Sequence, residues 1–248
     1  MSELLRYAAA DGVATITLDS ASNRNALSRD LVKDLGEALA RAEADGQVKV
    51  VLIRAAGAVF CSGADPAEAW AGDLVDGPRA IVALQRAIVA HPKPVVVKVQ
   101  GAVRAGGTGI VAAADIAVAA EGATFALTEV KLGLAAAVVS LTVLPRMTDR
   151  SAAYTFLSGQ SFTGAQAQTM GLVTKAVPAD DLDTVTEAAL AELVSGSQQG
   201  LAETKKLLNA GLLADIDARG EELSQLSARL LGSEIAQEAM AAFWSPKK

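Results

Sequence analysis

The chain has 248 residues, of which 51% are hydrophobic and 4% aromatic, and its formal net charge is −6. Because nucleic-acid binding needs a basic surface to neutralise phosphates, this charge argues against a nucleic-acid partner. The single cysteine excludes an intrachain disulfide and favours a reducing compartment. The longest apolar run, 132–144, is shorter than the roughly 18–20 residues of a membrane span. The N-terminus does not resemble a signal peptide. We therefore expect a cytoplasmic protein that does not bind membranes.

Short runs of branched apolar residues alternate with helical patterns through the first part of the chain. Strands are predicted at residues 4–8, 13–18, 49–53, 95–99 and 116–119. Helices are predicted after Ser28, which is placed to cap one, and over residues 79–90 and 106–114. Strand and helix in this rhythm imply right-handed crossovers and parallel pairing. The predicted fold class is therefore α/β.

From Pro145 onward the pattern becomes helical. The predicted helices are 152–157, 164–170, 182–194, 201–213 and 221–243. We divide the chain into an α/β core over residues 1–195 and a helical C-terminal region over residues 196–248.

Two glycine-bearing segments carry the strongest functional signal. FCSGAD at 60–65 and GAVRAGGTG at 101–109 each follow β-branched residues, and each is built to expose backbone N–H groups. Two such donors aimed at one point form an oxyanion hole, which stabilises an enolate or a tetrahedral oxyanion. The nearest downstream carboxylate for proton chemistry is Glu129, in FALTEVKLGL at 125–134. These segments predict an enzyme.

These segments and several others, in order along nearly the whole chain, resemble the crotonase superfamily, the enoyl-CoA hydratase/isomerase family. The matching stretches are NAL at 25–27, FCSGAD, KPVVVKVQGAVRAGG at 93–107, AADIAVAAEGATFALTEVKLGL at 113–134, SGQSFTGAQAQTMGLVTKAVP at 158–178 and EAMAAF at 238–243. The resemblance implies a spiral of ββα turns with a helical C-terminal trimerisation region. It also implies an acyl-CoA substrate and a homotrimer or a dimer of trimers. Coenzyme A is then part of the substrate, with no separate cofactor and no metal.

The resemblance places the oxyanion hole at the N–H groups of Ala64 and Gly106, and the acid/base carboxylate at Glu129. Gly106 also begins a predicted helix, whose dipole favours an anion. From the residues alone, the two glycines at 106 and 107 could instead serve close packing, and Glu129 could be a solvated carboxylate. The further substrate-binding residues implied by the resemblance are Arg24, Ala26, Cys61, Gly63, Asp65, Arg104, Gly107 and Leu134.

Position 109 departs from the family pattern. Hydratases of the standard type hold a water between two glutamates; the second aligns with Glu129, whereas the first aligns with Gly109, which has no side chain. A single carboxylate could still act as base and then as acid in a syn hydration. The string TEVKLGLAAAVVS at 128–140 resembles bacterial methylglutaconyl-CoA hydratase-like members.

We therefore predict a hydratase that adds water to a 2-enoyl-CoA with a branched or carboxylated acyl group. Two alternatives stay open. One is an enoyl-CoA Δ-isomerase that uses Glu129 alone. The other is a non-catalytic acyl-CoA-binding protein, which the missing carboxylate at position 109 would allow.

Three cations have more than one interpretation. Arg104 could pair with a substrate carboxylate, but we favour a position at the surface or against a neighbouring subunit. Arg24 could approach the nucleotide end of CoA or could be an exposed loop residue. Lys98 interrupts an apolar strand, and we expect it at a sheet edge or an interface.

Three further residues are expected to have structural roles. Asp65 is expected to shape its turn, and Cys61 is expected not to be a nucleophile. His91, the only histidine, precedes a proline at a helix end. We expect it at the surface or as a helix cap, and a lone histidine argues against a histidine-rich metal site.

Overall fold

The computed structural model describes residues 4–65, 68 and 72–244. Within them the predicted strands and helices appear in the predicted order, but the structure adds the helix Ala137–Val143 and five short strands that the sequence patterns did not predict. The strands are β1 (Leu5–Ala10), β2 (Val13–Leu18), β3 (Val50–Ala55), β4 (Val59–Cys61), β5 (Val95–Val99), β6 (Ala102–Arg104), β7 (Ile116–Ala120), β8 (Thr124–Ala126), β9 (Phe162–Thr163) and β10 (Lys175–Val177). The α-helices are α1 (Arg29–Ala44), α2 (Asp76–Ala90), α3 (Gly106–Ala113), α4 (Ala137–Val143), α5 (Asp149–Ser158), α6 (Gly164–Met170), α7 (Leu182–Ser195), α8 (Gln198–Leu231) and α9 (Glu234–Trp244).

The described strands form two sheets. The larger sheet has the order β1-β2-β3-β5-β7-β10, in which only the β1–β2 pair is antiparallel. The smaller sheet has the order β4-β6-β8-β9, in which β4, β6 and β8 run parallel. Three strands of the larger sheet, β3, β5 and β7, are each followed by a short strand of the smaller sheet and then by a helix. This ββα repeat brings the carboxyl ends of β4, β6 and β8 to one edge.

Small and branched side chains fill the core. Residues 95–97 of β5 are fully buried because strands and helices cover them on every side. Two of the few aromatic side chains, Phe60 and Phe125, lie fully buried in the smaller sheet. The ring of Phe125 stacks on that of Phe162 with centroids 5.6 Å apart. The aromatic residues therefore support the short strands whose ends carry the predicted functional loops.

The C-terminal helices differ from the prediction. The predicted break between helices 201–213 and 221–243 is wrong. Helix α8 runs unbroken through that point, and the chain turns only at Gly232 and Ser233. A Cβ at Gly220 would lie 2.8 Å from Cγ1 of Val82 in α2. Gly220 therefore allows two helices to pack closely and does not end one.

His91 is buried, so the expectation of a surface position is wrong, although the residue does form the C-cap of α2. Its Nε2 lies 3.2 Å from the Leu39 carbonyl oxygen, and the Lys93 N–H donates to its Nδ1 over 3.1 Å. A neutral ring protonated at Nε2 satisfies both contacts. Burial is the main reason why the pKa of His91 is lowered.

Lys98 does not lie at an edge, since β5 is an inner strand of the larger sheet. Its ammonium instead forms an ion pair with Asp183 of α7.

Among the described helices, none has the length and apolarity needed to cross a bilayer. The described residues also contain no cluster of three histidine, cysteine or acidic side chains placed to hold a metal.

Candidate active site

Three loops meet at the carboxyl edge of the smaller sheet: 62–65 after β4, Ala105 with Gly106 after β6, and 127–129 after β8. The first two are in direct contact, because a Cβ at Gly63 would lie 2.9 Å from the Cβ of Ala105. The Leu27 N–H donates to the Gly63 carbonyl oxygen over 2.8 Å and holds the first loop from the other side. Glycine at position 63 therefore permits the convergence that the sequence predicts.

Ala64 and Gly106, whose backbone N–H groups are the predicted oxyanion hole, both border a cavity at this edge. Gly106 is the first residue of α3, so its N–H has no acceptor within the helix. Within the described residues, neither N–H donates a hydrogen bond. Two backbone donors without acceptors, one of them at a helix N-terminus, are suited to an anionic oxygen.

Ala105 adopts a strained backbone conformation, with φ 47° and ψ −120°, which glycine normally occupies. Its N–H donates to the Ala126 carbonyl oxygen over 3.3 Å, and its carbonyl accepts from the Thr108 N–H over 2.9 Å. The ψ angle of Ala105 sets the direction of the next peptide plane. The strain therefore orients the Gly106 N–H.

Three of the predicted binding residues lie behind the cavity and do not border it. Gly107 packs against Cys61, since a Cβ at position 107 would lie 2.7 Å from the Cys61 Cβ. Burial raises the pKa of the Cys61 thiol to about 12, so the thiol stays protonated and is a poor nucleophile. Gly63 likewise packs against protein, since its Cβ would lie 2.9 Å from the Cβ of Ala105. These three residues support the loops by close packing.

Glu129 begins a short 3₁₀ helix, Glu129–Leu132, directly after the β8 loop and borders the same cavity. Its Oε2 atom is shielded from solvent and has no hydrogen-bond partner in the described part of the chain. Burial raises the pKa of this carboxyl to about 7, opposed in part by a hydrogen bond from its own backbone N–H. At neutral pH Glu129 can therefore either accept or donate a proton.

The cavity has a volume of about 710 Å³, which is within the range of small-molecule sites. One side is formed by residues 134–139, which we call the 134–139 wall; it consists of one leucine, three alanines and two valines. The last three of these residues form the first turn of α4. Such small apolar side chains leave room for an apolar group and give it no polar partner.

At the mouth of the cavity, the loop before α1 lies against the β4 loop. Arg24, Ala26 and Asp65 all border the cavity. Asn23 donates to the Asp65 carboxylate over 3.3 Å, and the Arg24 carbonyl accepts from the Ser62 N–H over 3.2 Å. The predicted residues on this side are therefore brought together with Ala64.

Buried Asn25 holds the loop before α1 in place against β4. The sequence analysis named it only as part of the NAL motif and gave it no role. Its Oδ1 accepts from the Ser20 N–H over 2.8 Å, and its Nδ2 donates to the Val59 carbonyl oxygen over 2.8 Å. Asn25 and Arg24 both have left-handed backbone angles. The tight turn they form directs the chain toward β4.

Arg104 borders the cavity, but its guanidinium is held by the smaller sheet. Nη1 donates to the carbonyl oxygens of Val103 and Thr124, and Nη2 donates to Oγ1 of Thr124. Thr124 lies toward the start of β8, away from the edge with the loops. Partial burial lowers the pKa of Arg104, and no carboxylate within the described residues forms an ion pair with it.

The sequence prediction missed the part of the cavity that helices contribute. Ile81 of α2, Ser227 and Leu231 of α8, and Met240 of α9 border the cavity. Their spacing predicts inward-facing positions on helices. No local signal distinguishes a helix face that lines a cavity from one that fills a core, so these residues could not be found from the pattern.

Comparison with known proteins decides the family. Residues 8–247 match the family model described as Enoyl-CoA hydratase/isomerase. The chain belongs to the enoyl-CoA hydratase/isomerase family. The predicted crotonase-type α/β fold with a helical C-terminal region is thereby confirmed, and the protein is an enzyme of this family. Coenzyme A enters the reactions of this family as part of the substrate.

Individual members of the enoyl-CoA hydratase/isomerase family match over nearly the full length. A crystal structure of an enoyl-CoA hydratase from Mycobacterium avium has a TM-score of 0.91 and 43% identity, covering 98% of this chain and 96% of that one. "Probable enoyl-CoA hydratase echA12" of Mycobacterium bovis is 33% identical over 93% of this chain and 86% of its own length. "Probable enoyl-CoA hydratase" of Rhodobacter capsulatus is 32% identical over 95% of this chain and 90% of its own length.

A substitution at Gly63 tests the contact between the two loops. Gly63 has φ +93° and no room for a Cβ, so we expect Gly63→Ala to lower the free energy of unfolding by about 2–5 kcal/mol. The matched control is Gly57→Ala, because Gly57 has φ +76° but open space around it. The control should lose only about 1–2 kcal/mol. Equal losses in urea denaturation would contradict close contact at Gly63.

The raised pKa of Glu129 predicts a pH-dependent stability difference. Its pKa is about 7 in the folded protein against 4.5 in the unfolded chain, so ionisation disfavours folding as pH rises through that window. Relative to wild type, Glu129→Gln should gain about 2–3 kcal/mol of unfolding free energy between pH 4 and pH 8. The exposed Glu121→Gln is the control, expected to stay within about 0.5 kcal/mol of wild type throughout. A constant difference for Glu129→Gln would show that its pKa is not raised.

Proposed function

We propose that this protein adds water to a 2-enoyl-CoA, with Glu129 as the acid/base group and the N–H groups of Ala64 and Gly106 as the oxyanion hole. One observation carries the proposal. Ala64 and Gly106, whose N–H groups have no acceptor among the described residues, border the same cavity as Glu129, whose shielded Oε2 has no partner among them. The names of the family members that match this chain support hydration as the reaction.

In the proposed hydration, ionised Glu129 takes a proton from a water molecule as the water oxygen bonds to C3. The C2–C3 π electrons move toward the thioester, and negative charge develops on the carbonyl oxygen. The N–H groups of Ala64 and Gly106 stabilise that oxygen; one such donor is typically worth roughly 3–4 kcal/mol. Protonated Glu129 then delivers its proton to C2, and the enolate collapses to the 3-hydroxyacyl-CoA. A pKa near 7 suits a group that must play both parts.

A second candidate function is isomerisation of a 3-enoyl-CoA to a 2-enoyl-CoA. It is favoured by the absence of a side chain at Gly109, since moving a proton from C2 to C4 needs one carboxylate and no held water. The enolate intermediate and its hole would be the same. A non-catalytic acyl-CoA binder is the weaker alternative, because an unpaired, shielded carboxylate at Glu129 gives binding alone no benefit and is typical of functional sites.

For the acyl group we propose a short or branched apolar chain that lies along the 134–139 wall. Carboxylated acyl groups were predicted as one option, with Arg104 as their partner. The bonds of Arg104 to Val103 and Thr124 already engage its guanidinium and favour a role in holding β6 and β8 together instead. An apolar wall of alanine and valine next to Glu129 supports an uncharged chain.

The proposed reaction predicts a large effect of Glu129→Gln. We expect kcat to fall by about 10²–10⁴-fold, because glutamine cannot transfer the proton, while Glu121→Gln stays close to wild type. For wild type, kcat/KM should rise with pH through about 7, as the base must be ionised. The measurement is the loss of enoyl-thioester ultraviolet absorbance with crotonyl-CoA and 3-methylcrotonyl-CoA, and with 3-methylglutaconyl-CoA as the carboxylated comparison.

Isotopically labelled water separates the two reactions. A hydratase incorporates the oxygen of water at C3, whereas an isomerase exchanges only hydrogen with the solvent and requires a 3-enoyl-CoA. Turnover that survives Glu129→Gln unchanged would remove the assignment of the carboxylate. Absence of both reactions despite tight acyl-CoA binding would support the binder.

We also propose that the chain assembles as a homotrimer or as a dimer of trimers, as its resemblance implies. Exposed apolar side chains on neighbouring elements support an interface: Val130 in the 3₁₀ helix, Leu157 in α5 and Ile235 in α9. Light scattering coupled to gel filtration should give three or six times the mass of 25.3 kDa. Leu157→Glu should lower that mass, whereas a monomeric wild type would overturn the proposal.

A further inference from the structure

Gln85 lies in the middle of α2 and is fully buried. It does not border the cavity, and nothing in the proposed reaction uses it. Burying an amide is unfavourable unless its hydrogen bonds are made. The partners of Gln85 therefore indicate why an amide is present on an otherwise apolar helix face.

Both ends of the Gln85 amide are bonded. Nε2 donates to the carbonyl oxygens of Ile81, over 3.3 Å, and Val138, over 3.2 Å. Oε1 accepts from the hydroxyl of Thr142 over 2.6 Å, and Thr142 is itself fully buried. These contacts give the amide one orientation and make its side chain rigid.

The bonds of Gln85 lead to the cavity. Ile81 and Val138 both border it, and Val138 is in the first turn of α4, which is part of the 134–139 wall. This seven-residue helix has no side-chain cap at its N-terminus. So short a helix depends on tertiary contacts for its position, and Gln85 with Thr142 provides polar ones.

Gln85 also fills the space beside Gly109. A Cβ at position 109 would lie 3.0 Å from Oε1 of Gln85, 3.1 Å from its Cδ and 3.1 Å from Cγ1 of Val139. The bonds to Val138 and Thr142 prevent the amide from moving aside easily. A longer side chain at position 109 would therefore have to displace the Gln85 amide or the Val139 side chain.

We propose that Gln85 is a positioning residue that holds the 134–139 wall against the acyl group and closes position 109 to a second carboxylate. The role at the wall rests on the proposed function, because it requires an acyl-CoA in the cavity. The closure of position 109 does not, since it follows from packing alone. Gly109 itself supplies no carboxylate, and Gln85 keeps the space beside it filled.

The role at the wall is tested with Gln85→Met, which keeps the length of the side chain and removes its hydrogen bonds. We expect the Kd of butyryl-CoA, an unreactive saturated probe, to rise about two- to tenfold, as for the loss of one or two hydrogen bonds. KM for the 2-enoyl-CoA should rise by the same factor, with a smaller change in kcat. Thr142→Val should act in the same direction. The matched control is Arg86→Met, since Arg86 is the next residue of α2 and pairs with Asp217 at the surface.

The closure of position 109 is tested by thermal unfolding. Gly109→Ala should raise the Tm by about 2–4 °C in a Gln85→Ala background, because alanine favours the helix and the contact with the Gln85 amide, the shortest one, is gone; Cγ1 of Val139 remains at 3.1 Å. In the wild-type background the same change should not raise the Tm. Equal effects in both backgrounds would overturn the closure.

The two tests fail in distinguishable ways. An unchanged Kd and KM in Gln85→Met, with wild type binding normally, would overturn the role at the wall. Failure of wild type to bind butyryl-CoA would overturn the proposed function and the wall role with it, while the Tm comparison still decides the closure. A loss of affinity in Arg86→Met equal to that in Gln85→Met would show a general effect of α2 and would also overturn the specific role.

Discussion

The parallel register of β4, β6 and β8 is the constraint on which the site depends. These strands are only three residues long each, and their carboxyl ends lie side by side because every ββα turn returns the chain to the same sheet. The loops that follow them are thereby brought to one place, and glycine at position 63 allows the first two to touch. The strand topology thus determines where the candidate site lies, and the residues of the loops determine which reaction it can catalyse.

Close backbone contact at this edge explains the unusual residues there. Gly63 has no Cβ, so the first loop lies on Ala105, whose strained angles set the orientation of the Gly106 N–H. Gly107 has no Cβ, so α3 lies on Cys61. A helix N-terminus and a strand-end loop can lie this close together only because these positions carry no side chain. Backbone strain of about 1–3 kcal/mol at one residue is sustainable because the surrounding strands fix it.

The surroundings of Glu129 explain the raised pKa of its carboxyl. No cation pairs with it within the described residues, and the nearby 134–139 wall is apolar. Its pKa is therefore governed by desolvation, and the group is ready to exchange a proton at neutral pH. The space beside Gly109 is filled from α2 by the Gln85 amide, whose hydrogen-bond partners are all inside the protein. In the proposed site Glu129 is therefore the carboxylate that acts, and the space beside position 109 stays closed.

The sequence by itself determined the α/β class, the order of the elements and the family. Local patterns carry these features: branched runs for strands, glycines where loops must touch, and the motifs around Ala64, Gly106 and Glu129. It did not reveal that α8 continues past Gly220, that His91 is buried, or that Cys61 lies behind the cavity. Those outcomes depend on which surfaces meet, and contacts between distant segments leave no local pattern. Only the tertiary structure decided that helices α2, α8 and α9 line the cavity and that Gln85 lies beside Gly109. The last two residues are 24 positions apart in the sequence, and only the packing of α2 on α3 brings them together.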